Sequence, residues 1–293
     1  MKQLVVVSGK GGTGKTTVTA ALAHLAASSR TLVLADTDVD AANLELVVAP
    51  ELESTEEFWS GELAVIDEEM CIACGRCAEV CRFDAIIPGD VYQVDPHACE
   101  GCAACFYQCP VDAIRMEPRH SGQWYVSRTR YGPLYHAHLF AGEENSGKLV
   151  TLVKQQARLR AMDEKVDLLL VDGPPGIGCP VIAALAGADL ALVVTEPTVS
   201  GQHDLERIVQ VAEHFGVAPT VLINKADLSV SNTSVIDIYC QEHGIPMIGH
   251  LPYDTSVTEA MVRGLPITAT DGPVSDALHL VWRVLQTRLW LDS

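Results

Sequence analysis

Basic residues are scarce in this 293-residue sequence: 20 Lys and Arg stand against 38 Asp and Glu, a net charge of −18. Nucleic acid and anionic membranes both require clustered cations, so neither is an expected partner. Long apolar runs are missing as well. No window approaches a membrane span, and the opening MKQLVVVSGKGG is too briefly apolar for a signal peptide. A cytoplasmic protein with no stable membrane anchor is the expectation. Aromatics amount to only 5%. Cysteine is nearly absent outside one window: eight of the ten fall between Cys71 and Cys109, leaving only Cys179 and Cys240 elsewhere. In a reducing compartment that density points to ligation of a metal or cluster, not to disulfides.

The residues that are present, 48% of them hydrophobic, suffice for a sizeable core and a second, smaller domain. Residues 4–8 make a continuous apolar run suited to a buried parallel strand. A Gly-rich turn, an Ala-rich helix over 16–27 and a second strand over 31–35 follow. Apolar runs at 167–171, 190–195, 220–223 and 247–249 alternate with helical stretches. That alternation predicts an α/β fold with a doubly wound, mostly parallel sheet and helices on both faces.

Between these halves lies an internal repeat with an offset of 28 residues. Cys71, Cys74, Cys77 and Cys81 map onto Cys99, Cys102, Cys105 and Cys109, and the triplet Asp84-Ala85-Ile86 maps onto Asp112-Ala113-Ile114. The expected division is therefore 1–60 and 119–293 for the α/β domain, with 61–118 inserted. QWYVSRTRY and LYHAHLF, on either side of Gly132-Pro133, alternate like a hairpin. Over 275–291, Leu278, Val281, Trp282, Leu285 and Leu289 share one helical face. The polar side of that helix lacks the Lys/Arg excess of a membrane-surface helix, so packing on the core is expected.

Residues 9–16 spell G-x4-G-K-T after a strand and before a helix, the context a phosphate-binding P-loop requires. Gly9, Gly11, Gly12, Thr13 and Gly14 would curl backbone amides around phosphates at a helix N-terminus. Lys15 would bridge the β- and γ-phosphates and Thr16 would ligate Mg²⁺, with Thr17 completing the nucleotide-binding set.

A second lysine, Lys10, gives KGGTGKT. This resembles the deviant P-loop of the MinD/ParA/Mrp ATPases, a group that includes the nitrogenase iron protein. The resemblance implies a nucleotide-sandwich homodimer in which Lys10 acts on the partner's phosphates, as an arginine finger does. ADTDVDAANLEL resembles the family's switch I, with Asp38 positioning or activating the attacking water and Asp36 beside it. LLLVDGPPGIG resembles the Walker B strand and switch II, with Asp172 holding Mg²⁺ through water. LINKAD over 222–227 reads literally as the N-K-x-D of GTPases, but MinD-like ATPases carry a similar sequence whose Asn contacts adenine. Asn224 is therefore the expected base contact, and ATP is favoured over GTP.

Two C-x2-C-x2-C-x3-C runs match the bacterial two-cluster ferredoxin arrangement, in which the fourth cysteine of each run crosses to the other cluster. That arrangement assigns Cys71, Cys74, Cys77 and Cys109 to one [4Fe–4S] cluster, and Cys99, Cys102, Cys105 and Cys81 to the second. Structural zinc, the alternative, usually takes well-separated C-x2-C pairs. Pro110 follows Cys109 as the ferredoxin pattern expects, whereas Arg82 follows Cys81. The whole resembles a MinD-superfamily ATPase with an inserted ferredoxin domain. It implies ATP-gated electron transfer with an unidentified donor or acceptor protein. An Mrp-like cluster-delivery ATPase and a redox-sensing positioning or regulatory ATPase are the alternatives.

Weaker signals have plain expectations. Cys179, just past switch II, should be a small buried thiol, and Cys240 a structural one. His136 and His138 share a hairpin face with no third metal ligand evident, so packing or surface roles are expected. His203 falls near a helix N-terminus, with Ser200 or Asp204 available to cap it. The polar loop over 143–148 suits either nucleotide sensing or a capped helix start.

Overall fold

The computed structural model describes residues 1–143 and 146–290. The chain forms two compact units, one of Met1–Glu56, Trp124–His138 and Ser146–Ser293, the other of Glu57–Gln123 and Leu139–Asn145. The second unit is wider than the 61–118 segment marked by the cysteine repeat.

In chain order, β1 (Lys2–Ser8) leads through the P-loop to α1 (Lys15–Ala27), β2 (Leu32–Asp36) and the one-turn α2 (Glu45–Val48). β3 (Glu51–Ile66) carries the chain into the second unit, which holds α3 (Arg76–Val80), β4 (Ile86–Ile87), β5 (Gln93–Val94) and α4 (Ala104–Gln108). β6 (Ile114–Arg128) leads out again, and β7 (Pro133–Leu139), α5 (Ser146–Asp163), β8 (Leu168–Pro175) and α6 (Cys179–Leu185) follow. The chain closes with β9 (Leu190–Thr195), α7 (Val199–His214), β10 (Ala218–Ile223), α8 (Val230–Glu242), β11 (Met247–His250), α9 (Ser256–Val262) and α10 (Pro273–Trp290).

The strands order as β11-β10-β9-β1-β8-β2-β7-β6-β3. Every pair from β11 to β7 is parallel. This is the expected α/β architecture, and it explains the continuous apolar runs. β1 lies between β8 and β9, and Leu4 to Val7 are wholly buried because both sheet faces are covered. On one face Leu22 and Leu25 of α1 share a core with Leu278, Val281, Trp282, Leu285 and Leu289 of α10. The apolar stripe of α10 therefore packs inward as expected, each large side chain contributing about 1.5–3 kcal/mol. Among the described residues no helix is long and apolar enough to cross a membrane. β6 and β7 are sheet neighbours joined by a tight turn in which Thr129 N donates to the Gly132 carbonyl at 3.1 Å.

Sequence patterning missed β3 altogether. Glu51, Glu53, Glu56, Glu57 and Glu62 give it a composition poor in strand formers. Cross-strand partners compensate: both Nε and an NH2 of Arg128 donate to Glu53 at 3.0 and 2.9 Å, and Gln123 donates to Glu57 at 3.1 Å.

In the second unit the 28-residue repeat is also a repeat of backbone shape. Left-handed residues recur in register: Ala73 with Gly101 (φ 50° and 64°), Gly75 with Ala103 (79° and 60°), and Asp84 with Asp112 (52° and 53°). An L-residue in that region costs about 1–2 kcal/mol, so two alanines held there mark a loop whose path is dictated by what it encloses. The halves also exchange backbone bonds. Asp67 N donates to the Ala113 carbonyl at 2.7 Å, and its counterpart Asp95 N donates to the Ala85 carbonyl at 2.8 Å.

Candidate functional site

The nucleotide-binding candidates converge where β1 meets α1. Gly14, at φ 95°, caps α1, and a Cβ there would come within 2.4 Å of the Asn224 amide nitrogen, so only glycine fits the turn. Asn224 donates to the Thr13 carbonyl at 2.8 Å and accepts from Lys225 N at 3.0 Å, bracing the P-loop from the end of β10. Thr13 is 2% exposed, and its hydroxyl has no hydrogen-bond partner among the described residues. A buried donor left unmatched is costly, and a phosphate oxygen in the loop would satisfy it. Lys15 is buried beside it. Thr17 faces outward from this centre, its hydroxyl 3.5 Å from the Met261 sulfur.

Asp172, within β8, is wholly buried and accepts from Thr16 Oγ1 at 2.6 Å and Thr19 Oγ1 at 2.9 Å. Burial raises its pKa to about 6 despite those donors and Lys15. Thr37 donates to the Asp172 carbonyl at 2.7 Å, tying switch I to switch II. Asp36 is turned inward, accepting from the backbone amides of Asp38, Asn43 and Leu44 at 3.1, 3.2 and 3.1 Å. It shapes the switch I turn, and burial beside Asp172 holds its pKa well above the usual carboxylate range. Asp38 remains half-buried, its pKa also raised by burial against the pull of Lys15. A carboxylate so placed can orient a water by accepting its hydrogen bond.

Lys10 lies against its own chain. Its ammonium stands 3.5 Å from Glu196 and 3.4 Å from both Thr198 and Ser200 hydroxyls at the start of α7. The other oxygen of Glu196 accepts from Lys225 at 2.5 Å.

The eight clustered cysteines surround two cavities in the second unit. Cys71, Cys74, Cys77 and Cys109 line one, with Arg76, Tyr92 and Pro110 among its walls. Cys81, Cys99, Cys102 and Cys105 line the other, with Phe83 and Glu100. In each, three cysteines of one run meet the fourth of the other run. Burial pushes up the thiols of Cys77 and Cys105, equivalent positions of the repeat, favouring their neutral forms. Among the described residues no three His, Cys, Asp or Glu side chains are arranged to hold one single metal ion.

The CobQ/CobB/MinD/ParA nucleotide binding domain family matches this chain over residues 4–267. The chain belongs to that family. An uncharacterized protein of Methanocaldococcus jannaschii is 32% identical over 97% of this chain and 96% of its own length. The septum site-determining protein MinD of Bacillus subtilis is 25% identical, over 90% of this chain and 81% of its own. In fold, the chain resembles the Pyrococcus horikoshii septum site-determining protein MinD complexed with Mg-ADP, at TM-score 0.60 and 18% identity over 100% and 98% of the two chains. The protein is thus an ATPase of the MinD/ParA family.

Within this family member the minor expectations divide: those for Cys179 and for the α7 cap fail, while those for Cys240, His136 and His138 hold. Cys179 is exposed, not buried: it is the first residue of α6, ahead of the turn at which Val181, Ala184 and Leu185 face the core. The cap of α7 is Thr198, whose hydroxyl accepts from Gly201 N at 2.9 Å, rather than Ser200 or Asp204, and His203 is exposed. Cys240 is buried, its thiol pushed up to about 11. His136 is buried between Ser127, 2.9 Å from Nε2, and Glu45, 3.3 Å from Nδ1, while His138 is exposed. In the 143–148 loop, Glu144 and Asn145 lie outside the described residues. Thr19, Thr37 and Glu196 escaped sequence reasoning, for their partners are remote in sequence or unmarked by any motif.

Proposed function

We propose that this ATPase gates electron transfer with a partner protein. The observation that carries the reading is one chain holding both a P-loop centre and two cavities each lined by four cysteines. Cys71, Cys74, Cys77 and Cys109 would hold one [4Fe–4S] cluster, and Cys81, Cys99, Cys102 and Cys105 the second. Such clusters ask for one thiolate on each of four irons and supply one-electron storage and transfer when bound. Gly9, Gly11, Gly12, Thr13 and Gly14 would wrap the phosphates of ATP, with Lys15 between the β- and γ-phosphates. Thr16 and Asp172 would hold Mg²⁺, and Asp38 would orient the attacking water. Asn224, which braces Thr13, is the residue on hand for adenine. Two copies would close on ATP, and Lys10, released from Glu196, would complete each site in trans.

The exposed cysteines Cys74 and Cys102 would leave the clusters within reach of a partner's redox centre, and a full set of four cysteine ligands for each would retain them, which favours electron transfer over cluster delivery. Anaerobic potentiometry of the iron-loaded protein tests the reading, with ADP or a non-hydrolysable ATP analogue, using Lys10→Ala and the nucleotide-binding control Lys15→Ala. Midpoint potentials or the rate of reduction of an acceptor are expected to change with the ATP analogue in the native protein and not in either variant. Indifference of both quantities to ATP and ADP would sink the gating idea.

A further inference from the structure

Arg119 commits its whole guanidinium. One NH1 donates to the backbone carbonyl of Cys99 at 2.9 Å, while Nε and NH2 both reach Oε1 of Glu143, at 2.8 and 2.6 Å. The two side chains are 17% and 12% exposed, so water screens their fields weakly. The repeat supplies no counterpart on the other cavity, for 28 residues earlier the chain has Val91. The other nearby cations are different in kind: Arg76, on the wall of the first cavity, and Arg82, beside Cys81, are both solvent-exposed.

We infer that Arg119 and Glu143 form a positioning pair that sets the reduction potential at the Cys81, Cys99, Cys102 and Cys105 cavity, separately from the other. This rests on the proposed cluster ligation. Gaining one electron adds one negative charge within that ring of cysteines. A guanidinium fixed on the Cys99 carbonyl favours the added charge, and the Glu143 carboxylate offsets it. Charge and hydrogen bonding around the ligands are the protein's levers on such a potential.

The test is anaerobic potentiometry followed by electron paramagnetic resonance on full-length, iron-loaded protein. Native protein is compared with Glu143→Gln, Arg119→Gln and the charge-keeping Arg119→Lys, with thermal unfolding run alongside. Glu143→Gln is expected to move one of two reduction waves upward. Arg119→Gln should move that same wave downward and Arg119→Lys should bring it part of the way back, while the other wave stays fixed. Movement of both waves together, of neither, or in one direction for both charge removals overturns the inference, because general loosening of the unit would act without regard to charge sign. Should Arg119→Gln not fold, the Glu143 series decides: upward shifts for Glu143→Gln and, more so, Glu143→Lys, and none for the charge-keeping Glu143→Asp. Native protein without acid-labile sulfide or any paramagnetic signal on reduction overturns the cluster reading itself, and this inference with it; intact signals with unmoved waves overturn only the inference.

Discussion

At the scale of single residues, Asp172 ties the nucleotide centre to pH. Its pKa of about 6 lies above the ordinary 3.8 because burial disfavours the carboxylate. In metal-free protein, therefore, stability from the neutral form is fully present below about 4 and is lost as pH rises through about 6. The Mg²⁺ proposed at this site would require the ionised form, so metal and proton would compete. Mg²⁺-dependent binding of a fluorescent ATP analogue should tighten about fivefold between pH 5 and 6, about twofold more by pH 7, and then level off. Asp172→Asn should abolish that slope; a slope that survives it belongs to another group. That Lys15, Thr16 and Asp172 come together was legible because each stands in a motif tied to phosphate chemistry. Thr19 was not: it belongs to an ordinary helix, and its partner is 153 residues away. The exposure of Cys179 was equally hidden, because helix periodicity gives the apolar face but not the residue at which the helix begins.

Among elements, the hairpin of β6 and β7 carries its own acid sensitivity. Burial lowers the pKa of His136 to about 4, and the ring stands neutral between Ser127 and Glu45. Because that value is below the unfolded 6.5, the stability the neutral ring contributes is complete above 6.5 and drains away as pH falls toward 4. Urea unfolding at pH 7.5 and 4.5 should show His136→Gln losing about 2–3 kcal/mol less than native protein over that interval; equal losses would place the sensitivity elsewhere. The elements easiest to read from sequence were those buried on both faces. The run over 190–195 became β9 with the same bounds, and all five apolar positions of α10 are buried. β3 was hard to read because its order comes from partners on β6, such as Arg128, which lie 75 residues on.

For the molecule as a whole, charge and closure are linked. Of the net −18, residues 57–123 contribute −8, with 12 acidic and 4 basic side chains, so the proposed redox partner would dock best through a basic face. Glu196 holds Lys10 in cis at 3.5 Å, so in the proposed dimer each copy would give up that contact before its lysine crossed to the other. Such a half-exposed pair is worth only about 0–1 kcal/mol, but a dimer releases two. Glu196→Gln should therefore strengthen ATP-dependent dimerisation about fivefold at low salt, measured by sedimentation; unchanged or weaker association would mean that Glu196 is no restraint. The fold class and both sets of candidate ligands were legible because motif order and cysteine spacing survive in linear form, whereas a restraint like Glu196 exists only once α7 lies over the P-loop. The swap between Asp67 and Ala113, and between Asp95 and Ala85, has one more consequence. Each cysteine cavity is walled by both repeats, so neither repeat owns a complete pocket, and the duplicated segment is interlocked like a clasp. A chain cut between the repeats would leave its two pieces still holding one another.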